Sequence, residues 1–63
     1  MKLTVGSIWK DRKGRTYVVL DVGLPGDYSV LAMGDKNVLY KYRKEGFFTH
    51  PDFPHERDLV EKV

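Results

Sequence analysis

The sequence predicts a small all-β protein in which five short strands form one partly open barrel. The apolar pattern changes roughly every six to ten residues, usually at a glycine, and the i, i+3, i+4, i+7 spacing of an amphipathic helix is almost absent. A chain of 63 residues has room for one small core, so residues 1–63 are assigned to a single domain.

The first two strands are expected to form a hairpin. Strand one covers residues 7–10 and ends at the polar turn 11–14, whose last residue is a glycine. Strand two covers residues 15–22 and is rich in β-branched and aromatic side chains. Alternation along this strand predicts a core face made of Thr16, Val18, Leu20 and Val22. The outer face would then carry Arg15, Tyr17, Val19 and Asp21.

A second hairpin is predicted to follow. The segment 23–27 contains Pro25 followed by a glycine, which is typical of a type II turn. Strand three then covers residues 28–33, and a tight turn at residues 34–36 leads to strand four at residues 37–42.

The last third of the chain is predicted to be an ordered loop that leads to a closing strand. Pro51 and Pro54 exclude a central strand, since proline cannot donate to a sheet ladder. We expect one helical turn near the C-terminus, at residues 55–58. Residues 59–63 are then expected to pair with strand one.

The composition predicts a soluble, cytoplasmic protein that does not contact a membrane. The chain has no cysteine, which is typical of a reducing compartment. It also lacks the apolar stretch of a secretory signal or of a membrane span.

The opening hairpin also carries a recognisable pattern. In residues 5–22 a glycine precedes the pair Ile8-Trp9, a polar turn ends in Gly14, and Tyr17 begins a hydrophobic run. This pattern resembles the first hairpin of small uncharacterised SH3-like barrel proteins of bacteriophages and bacteria. The resemblance covers about the first third of the chain and implies an SH3-like barrel from a phage or mobile element. That family has no assigned catalytic or binding residues, so none is carried over to this chain.

Aromatic residues give the first functional hypothesis. One Trp, four Tyr and three Phe exceed what one small core needs, so we expect Trp9 and Tyr28 to seal the core and a tyrosine strip to stay exposed. The loop that carries Phe47, Phe48 and Phe53, which we call the phenylalanine loop, either covers the open end of the barrel or binds a partner. The residues predicted to bind a host protein or a second copy of the chain are Tyr17, Tyr40, Tyr42, Phe47, Phe48 and Phe53.

Basic residues give the alternative hypothesis, which is nucleic-acid binding. The net charge is +2, and the cations are concentrated in two loops around Arg12 and Arg43. If these loops meet at one end of the barrel, they form a surface for a phosphate backbone or for an acidic partner. The candidate residues are Lys10, Arg12, Lys13, Arg15, Lys41, Arg43 and Lys44.

A metal site and catalysis are both predicted to be absent. His50, Asp52, His55, Glu56 and Asp58 are possible ligands, but no Cys and no H-E-x-x-H motif accompanies them. Ser7 and Ser29 lack a nucleophile-elbow context, and no glycine-rich phosphate loop occurs. The sequence therefore predicts a non-enzymatic binding module without cofactors.

Overall fold

The computed structural model describes residues 2–63 and consists of one antiparallel sheet. Its strands are β1 (Ile8–Asp11), β2 (Thr16–Asp21), β3 (Val30–Met33), β4 (Leu39–Tyr42) and β5 (Leu59–Lys62). The spatial order is β4-β3-β2-β1-β5, so β4 and β5 are edges and the sheet is not closed. The predicted all-β, partly open, five-stranded fold is confirmed, and so is the pairing of the closing strand with the first.

The connections differ from the predicted ones in two places. A short 3-10 helix at Asp35–Asn37 replaces the expected tight turn between β3 and β4, so β4 begins at Leu39, later than predicted. β3 ends at Met33 as predicted but begins only at Val30. Lys36 and Asn37 in this helix have φ of 60°, in the left-handed region. The helical turn expected near the C-terminus is a single hydrogen-bonded turn, in which the Asp58 N–H donates to the His55 carbonyl at 3.0 Å.

The predicted core face of β2 is wrong. Tyr17 and Val19 are 2 % and 1 % exposed, whereas Leu20 and Val22 are 41 % and 39 % exposed. Both faces of this strand carry apolar residues, so alternation alone cannot choose between them. Pairing decides the choice, because Tyr17 lies opposite the buried Trp9 of β1.

The core lies on the Trp9 face of the sheet, as predicted for Trp9 itself. Tyr28 was expected in the core but is 39 % exposed, because it precedes β3 and lies beneath the Arg43 guanidinium at 5.1 Å. The buried apolar residues are Leu3, Trp9, Tyr17, Val19, Val30, Ala32, Tyr42 and Leu59, with Tyr40 and Phe48 packed against them.

Candidate functional site

The predicted exposed tyrosine strip is not a surface feature. Tyr17 and Tyr42 are buried, and Tyr40 is half-buried. Tyr17 contacts the other two rings edge to face, with centroid distances of 5.6 Å to Tyr40 and 5.9 Å to Tyr42. Edge-to-face packing lets several rings share one small core, so Tyr17 and Tyr42 are core residues and do not form an exposed strip.

The phenylalanine loop is divided between core and surface. Phe48 packs against Tyr42 and His55 at centroid distances of 5.5 and 4.8 Å and covers the core. Phe47 is half-buried. Phe53 is 68 % exposed and contacts the ring of His50, so it is the member of this loop most accessible to a partner.

Asp11 organises the β1–β2 turn from a buried position. Its carboxylate accepts hydrogen bonds from four donors, namely the backbone N–H groups of Lys13 and Arg15, the Arg15 Nε and the Tyr17 hydroxyl. Burial disfavours ionisation, but the hydrogen bonds from Tyr17, Arg15 and the backbone outweigh it and hold the pKa of Asp11 below its usual value. The turn is therefore held together by a buried anion.

A second buried carboxylate, Asp58, immediately precedes β5 and also accepts several hydrogen bonds from neighbouring segments. It accepts from the backbone N–H groups of Phe48 and His55 and from Arg12 Nη2. Burial opposes its ionisation, yet the two backbone donors and Arg12 hold the pKa of Asp58 below its usual value. Asp58 thus connects the Phe48 segment, the turn at residues 55–58 and the β1–β2 turn.

The predicted basic surface is divided into groups with different contacts. Arg12 and Arg15 are ion-paired with Asp58 and Asp11. Arg43 lies over Tyr28 and donates to the Thr49 carbonyl. Of the remaining predicted cations, Lys10 and Lys41 are on the outer face of the sheet, and Lys13 is in the β1–β2 turn. Lys44 lines a separate hollow with Lys2 and Leu3. Several of these side chains therefore stabilise the fold.

The outer face of the sheet carries an apolar row that the sequence analysis did not identify. Cross-strand pairing joins Leu39 to Met33, Met33 to Val18, and Val18 to Ile8. Val63 continues the row, because its N–H donates to the Ile8 carbonyl at 2.9 Å. We call these five residues the outer row.

Much of the outer row is open to solvent. Leu39, Ile8 and Val63 are 55 %, 44 % and 66 % exposed, and Val18 and Met33 are half-buried. Charged residues lie beside the row, with Lys10 opposite Glu61 on one side and Lys41, which pairs with Leu31, on the other. An apolar row with a polar margin is typical of a protein-binding surface.

A separate surface feature, a hollow, lies between the start of β2, the 3-10 helix and the turn at residues 55–58. It has a volume of about 210 Å³, and we call it the arginine hollow. Its lining residues are Arg15, Tyr17, Asp35, Lys36, Val38, Tyr40 and Arg57. Arg57 and Lys36 are not among the predicted site residues, because they are distant in sequence from the basic loops and only the fold brings them to Arg15.

The candidate metal ligands have local roles. His50 Nδ1 accepts from the Asp52 N–H, and His55 Nδ1 accepts from the Arg57 N–H. Asp58 is occupied by its own hydrogen bonds. Within residues 2–63 no three His, Cys, Asp or Glu side chains come together as a set that could hold a metal ion.

Comparison with known proteins adds no relative, since no family model, curated protein or solved structure matches this chain. None of the helices in residues 2–63 has the length and apolar composition needed to cross a membrane.

Proposed function

We propose that this protein is a non-enzymatic binding module that docks onto another protein through the outer row. The observation that carries the proposal is the continuity of apolar side chains on the solvent face, across β4, β3, β2 and β1 and on to Val63, which follows β5. An antiparallel sheet with one free face normally carries polar side chains on that face. An uninterrupted apolar row there favours a partner that removes it from water.

The pairing register makes this surface a single unit. Neighbouring strands are spaced about 4.8 Å apart, so a row of five residues on adjacent chain segments is about 20 Å long. Such a row matches the apolar centre of a small interface, and the adjacent charges supply its polar rim. Lys10 and Glu61 on one margin, with Lys41 on the other, offer both signs of charge to a partner.

The proposed partner is a host protein or a second copy of this chain, in keeping with a cytoplasmic accessory protein of a phage or mobile element. The resemblance of residues 5–22 to phage and bacterial SH3-like proteins supports that source. The lack of cysteine supports a reducing compartment. Among the residues first predicted to bind protein, Phe53 is exposed, and Tyr40, Phe47 and Phe48 are half-buried.

Site-specific photo-crosslinking tests this proposal. A photoreactive phenylalanine analogue is placed at Leu39 in the outer row or at Phe53 in the loop, and the chain is irradiated in bacterial cells. Leu39 is 55 % exposed and Phe53 is 68 % exposed, so the two probes are matched in accessibility. We expect a discrete crosslinked band from position 39 only, either to another protein or to a second copy.

A charged substitution supplies the functional control. Leu39→Lys should leave the free energy of unfolding within about 0.5 kcal/mol of wild type, because the side chain is exposed. The same substitution should abolish a crosslink formed from a probe at Ile8, three strands away from Leu39 in the row. Crosslinks from position 53 without any from position 39 would show that the phenylalanine loop, and not the outer row, contacts the partner. The absence of crosslinks from both positions would reject protein binding.

A further inference from the structure

We propose that the arginine hollow binds a phosphate monoester group. The proposal is independent of the outer row and concerns a different surface. Three cationic side chains, Arg15, Lys36 and Arg57, line the hollow together with one acid, Asp35. A phosphate group has oxygens that point in several directions, so it can accept hydrogen bonds from donors on separate elements.

Arg57 is held in place without being neutralised. Its guanidinium lies 4.7 Å from the centroid of the Tyr40 ring, and its Nη1 donates to the Tyr17 hydroxyl at 3.1 Å. A ring and a hydroxyl orient the guanidinium but carry no negative charge. The remaining N–H donors of Arg57 are therefore available to an anion, with the orientation already set.

Arg15 is also oriented and has an unused donor. Asp11 fixes its Nε at 2.7 Å. Its Nη2 is buried and has no hydrogen-bond acceptor of good geometry within residues 2–63. The nearest carboxylate, Glu56 Oε2, lies 3.5 Å away on a half-exposed side chain. A phosphate oxygen would reach this nitrogen only by replacing the Glu56 carboxylate beside it, and it would then satisfy a group whose desolvation is already incurred.

Lys36 brings the third charge from an unfavourable backbone conformation. Its φ is 60°, in the left-handed region that non-glycine residues rarely adopt. Asp35, Glu56 and the Asp11 behind Arg15 oppose an incoming anion, but Asp11 is saturated by its own donors. These opposing charges predict weak binding.

The apolar wall of the hollow favours a monoester over free phosphate. Val38 and Tyr40 line the hollow beside the cations, and a volume of about 210 Å³ exceeds what one phosphate group fills. An organic substituent on the phosphate would pack on these side chains. We therefore expect phenyl phosphate to bind more tightly than inorganic phosphate.

The experiment is a titration of ¹⁵N-labelled protein with phenyl phosphate, inorganic phosphate or sodium chloride at matched ionic strength. We expect saturable shifts of the Lys36 amide and of the Nε–H signals of Arg15 and Arg57 with both phosphates, and only small, non-saturating shifts with chloride. Shifts that match those of chloride, or that do not saturate, overturn the proposal.

Two glycine substitutions separate charge from backbone strain. Lys36→Gly removes a cation, whereas Asn37→Gly relieves the same φ of 60° without changing charge. Lys36→Gly should bind phenyl phosphate about tenfold more weakly, and Asn37→Gly should bind it as wild type does. Equal affinity in the two variants contradicts the proposal. Leu39→Lys should bind phenyl phosphate normally, so failure of the outer-row hypothesis leaves this test unaffected.

Discussion

The hydroxyl of Tyr17 donates a hydrogen bond to Oδ2 of Asp11 at 2.8 Å, and both side chains are buried. This contact joins β1 to β2 inside the core and places the polar end of an aromatic residue against a carboxylate. Arg57 approaches the same hydroxyl from the turn at residues 55–58. One tyrosine therefore connects the opening hairpin to the segment before β5.

Replacing Asp11 with asparagine should destabilise the fold. Asp11→Asn removes the charge that four donors share, and we expect the free energy of unfolding to fall by about 2 to 3 kcal/mol. Urea unfolding followed by Trp9 fluorescence measures the change. Asp21→Asn is the control, because Asp21 is exposed and its side chain accepts from the Gly23 N–H in a turn. Equal losses in the two variants would contradict the assigned role.

Acid should weaken the fold over a defined range of pH. The pKa values of Asp11 and Asp58 are lower in the folded state than the ordinary value of 3.8, so both groups bind fewer protons when folded. Their contribution is complete above that ordinary value and is lost as pH falls through the lowered values. We expect the melting temperature to be steady from about pH 7 to about pH 5 and to fall below about pH 4. In Asp11→Asn that fall should be shallower; an unchanged acid profile would show that Asp11 is not a source of it.

Two tyrosine hydroxyls of the core should behave in opposite ways. The Tyr42 hydroxyl is buried without a hydrogen-bond partner in residues 2–63, and burial raises its pKa far above the ordinary value. Tyr42→Phe should therefore leave stability unchanged or raise it by about 1 kcal/mol. Tyr17→Phe should lower it by about 1 to 2 kcal/mol, because Asp11 and Arg57 lose a partner. Denaturant unfolding of both variants measures the difference, and a larger loss in Tyr42→Phe would reverse the assignment.

The phenylalanine loop should show the same division in stability. Phe48→Ala removes a ring that packs on Tyr40, Tyr42 and His55, and we expect a loss of about 2 to 3 kcal/mol. Phe53→Ala, at a site that is 68 % exposed, should cost less than about 1 kcal/mol. Thermal melts of the two variants provide the comparison. Similar melting temperatures would mean that Phe48 does not cover the core.

Gly34 is a position where a methyl group has no room. A Cβ there would lie 2.8 Å from Cε2 of Tyr17 and 3.2 Å from Cε2 of Tyr40. Gly34→Ala should cost about 1 to 3 kcal/mol, because buried rings must shift. Gly26→Ala adds a Cβ with nothing within 4 Å, and its cost of about 1 kcal/mol comes from the positive φ alone. Unfolding curves that rank Gly26→Ala as the more damaging variant would contradict the packing around Gly34.

The sequence by itself determined the fold class, the approximate positions of the strands and the burial of Trp9. These follow from local chemistry, since β-branched runs, turn glycines and prolines act over a few residues. The pairing of the last strand with the first also followed, because a five-stranded barrel of this size offers few alternatives.

Only the tertiary structure decided which face of β2 is the core. Tyr17 and Val19 lie on one face of β2, and Val18 and Leu20 lie on the other. Because both faces carry apolar residues, the alternation of side chains does not show which face is buried. The register against Trp9 and the hydrogen bond to Asp11 decide which face is buried, because they satisfy the Tyr17 hydroxyl in the interior. That one choice moves the tyrosines inward and leaves the outer row in solvent.

The arginine hollow also depends on the tertiary structure. Arg15, Lys36 and Arg57 come from three separate segments, and each alone has the sequence context of an ordinary surface cation. Side-chain chemistry is local, but the arrangement of three charges around one hollow depends on strand register and on the path of the loop before β5. For that reason the sequence predicted a binding module, and the tertiary structure decided which side chains lie on the surface.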